Sequence, residues 1–280
     1  MPLLFENRLG EEMGAGPAKM VEDHRKLAIF DRDPANWEEL QDMTGQLFDE
    51  IGCEVVVGKP IDNVRGAKEI DVFVRDVAIT PPAVYLCECK LWKRAVPQEI
   101  VHAFRTVMAD VGAHRGFIIS GAGFQKGAFE AATNTNIDLV TFGELQRIFG
   151  DRWRVNMGER LMPFADRLFA YWDPTGGRMP KFQWTESHRE RHRRLMNAYE
   201  PLIHIGPVSR HYLFKREFPI ILPAVNERGQ FAGEVSINTY RQLYDFIDAN
   251  KDLALYHFQV LHGEVRPNRI DGEYNPVAEA

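Results

Sequence analysis

Apolar residues recur at helical spacing in the stretch that follows residue 33. Intervals of three and four residues predict one apolar face of an amphipathic helix, formed by Trp37, Leu40, Thr44, Leu47 and Ile51. Asp33 would serve as the N-cap and Pro34 as the first helical residue, because an acidic side chain and a fixed φ suit these positions. Gly52 would end the helix.

Alternating residues and short apolar runs predict the strands of a sheet after this helix. The predicted order is α-β-β-β-α-β-α-β, with strands at Glu54–Gly58, Glu69–Val74, Ala83–Lys90, Gly116–Ser120 and Ile137–Val140, and helices at Gln98–Val111 and Phe124–Thr133. Leu145–Phe149 would close the unit. A mixed sheet with helices on both faces is the natural packing of this order, so we predict an α/β fold.

The composition shifts toward Trp, Tyr, Phe, His and Arg after Gly150–Asp151, which predicts a boundary there. We expect an N-terminal arm at 1–33, a first domain at 34–150 and a C-terminal domain at 151–280. The last would be an α+β domain of unknown type, with helices at Trp153–Trp172, Ser187–Tyr199 and Ser236–Ala249, strands at Pro219–Val225 and Leu253–Leu261, and a turn-rich linker at Asp173–Pro180. The polar tail from Arg266 would be frayed.

A net charge of −6 argues at first against nucleic-acid binding, but the charge is unevenly distributed. Residues 1–150 contain 16 Lys and Arg against 23 Asp and Glu, a net charge of −7. Residues 151–280 contain 18 against 17, a net charge of +1. The acidic half would need cations, or basic groups from elsewhere, before it could approach phosphate.

Several classes of protein are disfavoured by the sequence. It contains no run of 18 apolar residues, so we expect no membrane span. Its first residues lack a basic segment followed by a long apolar one, so we expect no secretory signal. Cys53, Cys87 and Cys89 are sparse, odd in number and without a CxxC pair, which predicts reduced, buried thiols in a cytoplasmic protein rather than zinc ligands.

The candidate chemistry lies at the end of the third predicted strand. Glu88 and Lys90 are two residues apart and so point to one face, whereas Cys87 and Cys89 point to the other, toward a core. If the second and third strands form a hairpin, Asp71 lies beside Glu88. Two carboxylates on adjacent strands suit Mg²⁺, which can polarise a phosphate oxygen and activate a water molecule. A surface cluster of ion pairs is the alternative.

Asp71, a gap of sixteen residues and then Glu88-Cys89-Lys90 match the D…(D/E)xK motif, and the chain here resembles the PD-(D/E)xK nuclease superfamily. It is most similar to the Mrr-type restriction endonuclease catalytic domain. Segments typical of that domain are found at Trp37–Leu40, Gly52–Val55, Glu69–Val72, Glu88–Trp92, Gly116–Ser120 and Phe124–Ala128. The resemblance covers residues 34–150, with Ile70 in place of the proline of the motif.

This resemblance implies a restriction-endonuclease-like core of order α-β-β-β-α-β and a set of site residues. Asp71 and Glu88 would bind Mg²⁺, or Mn²⁺ as a substitute, with the Cys89 carbonyl oxygen as a further ligand. Lys90 would be catalytic. A glutamate on the first helix often joins the site in this family, which makes Glu38 the candidate.

Three other features leave alternatives open. Glu39 could replace Glu38 in the site, or Glu38 could belong to a solvated helix face. Lys93 and Arg94 directly follow the catalytic strand, and they either hold the nucleic-acid backbone or form an ordinary solvated turn. The basic run at 187–194 either contacts DNA or forms a solvated helix with internal ion pairs.

The function implied by the resemblance is the Mg²⁺-dependent hydrolysis of DNA phosphodiester bonds by a cytoplasmic endonuclease, in restriction or another anti-phage defence. A double-strand cut usually needs two active sites, so we expect a homodimer. A partner protein from a defence system is left open. The alternatives are a non-catalytic DNA-binding or assembly protein with a nuclease-like fold, and an RNA nuclease.

Overall fold

The computed structural model of the protein describes residues 28–63, 66–173, 177–203 and 217–266. Its helices are α1 (Trp37–Glu50), α2 (Gln98–Val111), α3 (Lys126–Ala132), α4 (Phe142–Trp172), α5 (Glu186–Ala198), α6 (Glu200–Ile203) and α7 (Tyr240–Leu261). Its strands are β1 (Glu54–Asn63), β2 (Gly66–Asp76), β3 (Ala83–Lys90), β4 (Arg115–Ser120), β5 (Ile137–Val140), β6 (Ile220–Val225) and β7 (Phe231–Ile237). Most of the predicted N-terminal arm, part of the predicted linker and the tail after Arg266 lie outside the described residues.

The larger sheet has the strand order β1-β2-β3-β4-β5. Strands β1, β2 and β3 pair antiparallel, whereas β3, β4 and β5 pair parallel. Parallel neighbours need crossover connections, and α2 and α3 supply them. The central strand is β3, in which Cys87 pairs with Val72 of β2 on one side and Phe117 of β4 on the other. The predicted mixed sheet is confirmed.

Helices cover both faces of this sheet, as predicted. On the first face α1 and α4 pack against the strands in a cluster that includes Leu47, Phe48, Val72, Cys87, Phe117 and Leu145. On the second face α2 and α3 pack in a cluster that includes Leu86, Phe104, Ile118 and Ala128. Alternate residues of β3 therefore enter opposite clusters, which fixes the direction of each side chain near the strand end.

The first helix differs from its prediction at its N-terminal end. Its N-cap is Asn36, whose side chain accepts a hydrogen bond from the Glu39 backbone N–H at 2.8 Å, and not Asp33. Leu40 and Leu47 are buried as predicted, but Trp37 is 56% exposed. The first turn of α1 therefore extends beyond the core, and its side chains are open to solvent.

One helix of 31 residues, α4, replaces two predicted elements. It begins with a capping box at Thr141 and Glu144 and continues without interruption through Gly150 and Asp151. The predicted boundary therefore falls inside a helix, and the segments expected at 145–149 and 153–172 belong to the same element. The division into domains at 34–150 and 151–280 stays a prediction about the sequence.

The C-terminal half combines helices with a two-stranded antiparallel sheet of β6 and β7. The prediction of a strand at Leu253–Leu261 is wrong, because these residues form the second half of α7. A short apolar run is compatible with a buried strand or a buried helix, and here helical packing prevails. The strand β7 was missed, and the helix expected at Ser236–Ala249 begins at Tyr240. Among the described residues, no helix is both long and apolar enough to span a membrane.

The C-terminal end of α1 is held by side chains from α4. The last carbonyl groups of a helix have no partner inside it. Arg152, Asn156 and Arg160 donate to the carbonyl oxygens of Ile51, Glu50 and Asp49 at 3.2, 2.5 and 2.6 Å, respectively. These donors are four residues apart on α4 and so share one face. They satisfy the end of α1, and the two guanidinium groups also suit the negative end of its dipole.

A buried carboxylate connects α1, α4 and α7. Arg241 of α7 pairs with Glu50 of α1 through two hydrogen bonds, of 3.0 and 2.6 Å, and Trp153 Nε1 of α4 donates to the same carboxylate at 2.6 Å. Gln46 adds a hydrogen bond of 2.8 Å, and Arg241 Nε donates to the Ile29 carbonyl at 2.7 Å. Burial acts to raise the pKa of Glu50. The hydrogen bonds and charge of Arg241, together with the hydrogen bonds from Trp153 and Gln46, outweigh burial, and the pKa lies below its ordinary value.

Replacing Arg241 with methionine should lower the free energy of unfolding by about 3–5 kcal/mol, because Glu50 would stay buried without its cation. The matched control is Arg147→Met on α4, which removes an exposed pair with Glu144 and should cost less than about 1 kcal/mol. Chemical denaturation near neutral pH measures both changes. A loss below about 1 kcal/mol for Arg241→Met would contradict the central role of this pair.

The same pair predicts the direction of a pH effect. Because the folded-state pKa of Glu50 lies below its ordinary value of 4.5, its contribution is complete above that pH and is lost as the pH falls. The difference in unfolding free energy between the parent protein and Arg241→Met should therefore shrink in acid.

Candidate active site

The site forms where β2 and β3 separate. The last paired residues at this end are Val72 and Cys87, and Asp71 and Glu88 come next on their strands. The Asp71 carboxylate accepts a hydrogen bond from the Cys89 backbone N–H at 2.7 Å. A side-chain oxygen thus satisfies a backbone donor that the end of the strand ladder would otherwise leave unpaired. This bond anchors Asp71 beside Glu88, as the hairpin interpretation predicted.

Three oxygens converge on the ammonium group of Lys90. Its Nζ lies 2.5 Å from Glu88 Oε1, 3.8 Å from Asp71 Oδ2 and 3.4 Å from the Cys89 carbonyl oxygen. The side chains of Asp71, Glu88 and Lys90 are 17, 12 and 16% exposed, so the cluster is mostly shielded from solvent but can be reached. The structure therefore brings Asp71, Glu88, Lys90 and the Cys89 carbonyl together at one point.

The cysteines flanking Glu88 point away from this cluster. Cys87 and Cys89 are buried in the core on the first face of the sheet, and their thiols are free. Burial raises the pKa of both thiols well above the ordinary value, so they stay protonated. The predicted burial of the cysteines is confirmed, and position 89 contributes its backbone to the site.

The charge of Asp71 is held at an energetic cost. Burial, followed by the neighbouring charge of Glu88, raises the pKa of Asp71 above its ordinary value. The Cys89 N–H, the Lys90 ammonium and the Gln41 side chain act in the opposite direction without cancelling the effect. Two carboxylates with one ammonium leave the cluster with excess negative charge, which a further cation would relieve.

The first helix reaches the site through a residue that the sequence analysis missed. Gln41 is buried on α1 near Asp71, and its side chain acts to lower the pKa of that carboxyl group. The sequence feature that could have indicated this role is a polar residue, Gln41, directly after the buried Leu40 of the helix. Glu38 is exposed one turn earlier on the same side of α1, because residues three apart are neighbours on a helix.

Glu39, the alternative to Glu38, is engaged elsewhere. Its carboxylate pairs with Arg32 and accepts a hydrogen bond from the Ala35 N–H at 2.6 Å. The hydrogen bond from Arg32, followed by that from Ala35, lowers the pKa of Glu39 to about 2. These contacts point Glu39 toward the chain that precedes α1, which leaves Glu38 as the acidic side chain nearer to Gln41.

A family comparison covers the part of the chain that carries this geometry. The model of the restriction endonuclease family Mrr_cat matches residues 32–149. Residues 32–149 form an Mrr-type restriction endonuclease domain. None of the curated proteins compared with the chain matches it. One solved structure, described as "Crystal Structure of Protein of Unknown Function AF1548", is similar with 20% identity and a TM-score of 0.33. The match covers 37% of this chain and 57% of that chain.

In the Mrr-type domain, the basic residues predicted to contact nucleic acid follow β3 directly. Lys93 and Arg94 are both exposed. The Arg94 guanidinium lies 5.6 Å from the centre of the Trp92 ring, and Lys90 Nζ lies 5.8 Å from the same centre. Both cations therefore lie near the Trp92 ring, which places Arg94 close to the site.

The donor set of the Mrr-type domain fits Mg²⁺. Among the residues that the structure describes, no group of three or more His, Cys, Asp or Glu side chains is placed to hold a metal ion. The site instead offers two carboxylates and the Cys89 carbonyl around a point that already holds the cationic Lys90 Nζ. Mg²⁺ commonly binds through one or two carboxylates and keeps several water molecules, so a larger protein cage is not needed.

Asp71→Asn should leave the metal-free protein as stable as the parent or more stable, because it removes a charge that burial and Glu88 oppose. Because the folded-state pKa of Asp71 is raised, the contribution of its protonated form to the free energy of unfolding is complete below pH 3.8. This contribution is lost as the pH rises through the folded-state pKa. Mg²⁺ at ten times its Kd should stabilise the parent by about 1.4 kcal/mol but not this variant.

Thermal unfolding with and without Mg²⁺ measures both effects. Asp138→Asn is the control, because Asp138 of β5 pairs with Arg115 of β4 and its replacement should leave the Mg²⁺ effect unchanged. An equal Mg²⁺ shift in Asp71→Asn and the parent would rule out Asp71 as a ligand.

Proposed function

We propose that the Mrr-type domain is a Mg²⁺-dependent endonuclease that hydrolyses DNA phosphodiester bonds, with Mn²⁺ as a substitute metal. The observation that supports this most strongly is the convergence of Asp71, Glu88 and the Cys89 carbonyl on the ammonium group of Lys90. The family match supports nuclease chemistry in general. The choice of metal and of DNA belongs to our proposal.

Each residue has a role that follows from its position. Asp71 and Glu88 hold the metal ion, and the Cys89 carbonyl adds a third oxygen. When bound, Mg²⁺ supplies charge that activates water and stabilises the oxygens of the reacting phosphate. Lys90 orients the attacking water by hydrogen bonding and offsets the negative charge that develops on the phosphate. Gln41 fixes the orientation of Asp71 from the side of α1.

Glu38 completes the site from the first turn of α1. It is exposed, whereas Glu39 is already bound by Arg32 and Ala35. Lys93 and Arg94 contact the phosphate backbone beside the cut and supply part of the positive charge that an acidic domain needs. We further propose that the protein acts in the cytoplasm as a homodimer, in restriction or anti-phage defence, alone or with a partner protein.

Asp71→Ala and Lys90→Ala should each reduce DNA cleavage at least about a hundredfold, because each removes a charge that acts on the reacting phosphate. Supercoiled and linear DNA are incubated with Mg²⁺, Mn²⁺ or a chelator, and the ends are analysed for 5′-phosphate and 3′-hydroxyl groups. Variants that cut as well as the parent would refute the assignment. Tight DNA binding without cleavage under any metal would favour the non-catalytic alternative, and preferred cutting of an RNA panel would favour an RNA nuclease.

The pair Glu38→Gln and Glu39→Gln separates the two helix candidates. We expect a loss of cleavage of about tenfold or more for Glu38→Gln and little change for Glu39→Gln, since only Glu38 would act in the reaction. The reverse result would assign the role to Glu39. Solution mass measured with and without DNA tests the proposed dimer.

A further inference from the structure

A cleft lies at the carboxyl ends of the parallel strands, next to the proposed active site. Its volume is about 340 Å³, within the range of small-ligand sites. Leu91, Ser120 and Thr141 line it where β3, β4 and β5 end, and Leu40 lines it from α1. Ligands of open α/β sheets commonly bind at this edge.

The cleft and the catalytic lysine share the same strand ends. Leu91 follows Lys90 directly in the chain, and Ser120 is the residue of β4 that pairs with Lys90. The backbone that lines the cleft is therefore adjacent to the backbone of Lys90. The hydrogen bond between Ser120 Oγ and the Gly123 carbonyl, at 2.9 Å, holds the loop after β4 around the opening.

The lining has the chemistry of a site for a planar heterocycle. Leu40, Leu91 and Phe142 supply apolar walls. Asp33, which does not cap α1, contributes an exposed carboxylate that can accept hydrogen bonds from the amino groups of adenine or cytosine. Gly143 leaves the cleft open, since a Cβ atom built there would meet nothing within 4 Å.

An exposed aromatic side chain lies on the helix that contributes Leu40 to the cleft. Trp37 is 56% exposed in the first turn of α1, three residues before Leu40, so the two are neighbours on the helix. Aromatic faces that are open to solvent stack on nucleic-acid bases regardless of sequence. The Trp37 ring therefore offers a second surface on which a base of the substrate strand can stack.

We propose that this cleft receives one nucleobase of the substrate strand, turned out of the base stack, while the adjacent phosphate lies at Lys90. The inference rests on the proposed nuclease function and adds the form in which the substrate is bound. Enzymes that act on DNA in this way offer a pocket with apolar walls and hydrogen-bonding groups for the extruded base. The substrate that binds best is then DNA with a base that is unpaired or easily unstacked.

Binding of small probes to the full chain tests the proposal without requiring cleavage. The probes are dAMP, dCMP and deoxyribose 5-phosphate, which carries the phosphate and sugar but no base, each measured by NMR titration with Ca²⁺ present. We expect the two nucleotides to bind at least about tenfold more tightly than deoxyribose 5-phosphate, which corresponds to about 1.4 kcal/mol. Equal affinity of all three, or no binding up to about 10 mM, would overturn the proposal.

A pair of glycine variants identifies the cleft as the site. Gly143 and Gly158 both lie on α4, and a Cβ atom at either position meets nothing within 4 Å. Gly143→Phe should fill the cleft and abolish the preference for nucleotides over deoxyribose 5-phosphate. Gly158→Phe changes the same helix in the same way away from the cleft and should keep that preference. A preference that survives in Gly143→Phe would overturn the proposal.

The two proposals fail in different ways. Metal-dependent cutting of DNA without any preference for nucleotides would leave the nuclease assignment intact and remove the base site. A nucleotide preference that Gly143→Phe abolishes, in a protein that cuts no nucleic acid with any metal, would leave the cleft as a base site and refute the nuclease assignment. Circular dichroism and thermal unfolding verify that both glycine variants are folded.

Discussion

The buried ion pair between Glu50 and Arg241 sets the arrangement on which the rest of the structure depends. Such a pair is favourable only when the remaining donors and acceptors of both groups are satisfied. Here Trp153, Gln46 and the Ile29 carbonyl complete the set. Since Glu50 is the last residue of α1, its partners determine where that helix lies. The same helix carries Gln41 to Asp71, so contacts at one end of α1 support the orientation of a proposed metal ligand near the other.

The proposed site concentrates negative charge and keeps one cation within it. Lys90 holds two carboxylates that would otherwise repel each other across the end of β3. The Cys89 peptide group serves both partners, because its N–H donates to Asp71 and its carbonyl accepts from Lys90. Side-chain identity at position 89 therefore matters to the core, whereas the backbone at that position matters to the site. A divalent ion bound there would add positive charge to a site where two carboxylates already surround the ammonium group of Lys90.

Local patterns identified the five strands of the sheet, but they did not give the full length of β1 and β2 or the contacts that join distant elements. The bounds of β3, α2 and β5 follow from alternation, from Pro97 and from the left-handed Gly112 after α2, so the sequence predicts them closely. The approach of Asp71 to Glu88 follows from a hairpin. Gln41 could not be found in this way, because its role depends on the rotation of α1 against the sheet. The continuity of α4 was also hidden, since Gly150 suggests a break whose cost of about 1 kcal/mol is offset by the packing of Trp153.

Because of the long helix α4, the segment that matches the family model is shorter than the segment whose side chains pack together. The family match ends at residue 149, one turn before Arg152 and Trp153. A fragment cut there would retain Glu50 and Asp76 in the interior while losing Arg152 and Arg241, the cations that neutralise them. Recombination that transfers the Mrr-type domain to another protein must therefore carry α4 and α7 with it. The part of the chain that this domain needs in order to fold is therefore set by the positions of the cations that pair with its buried carboxylates.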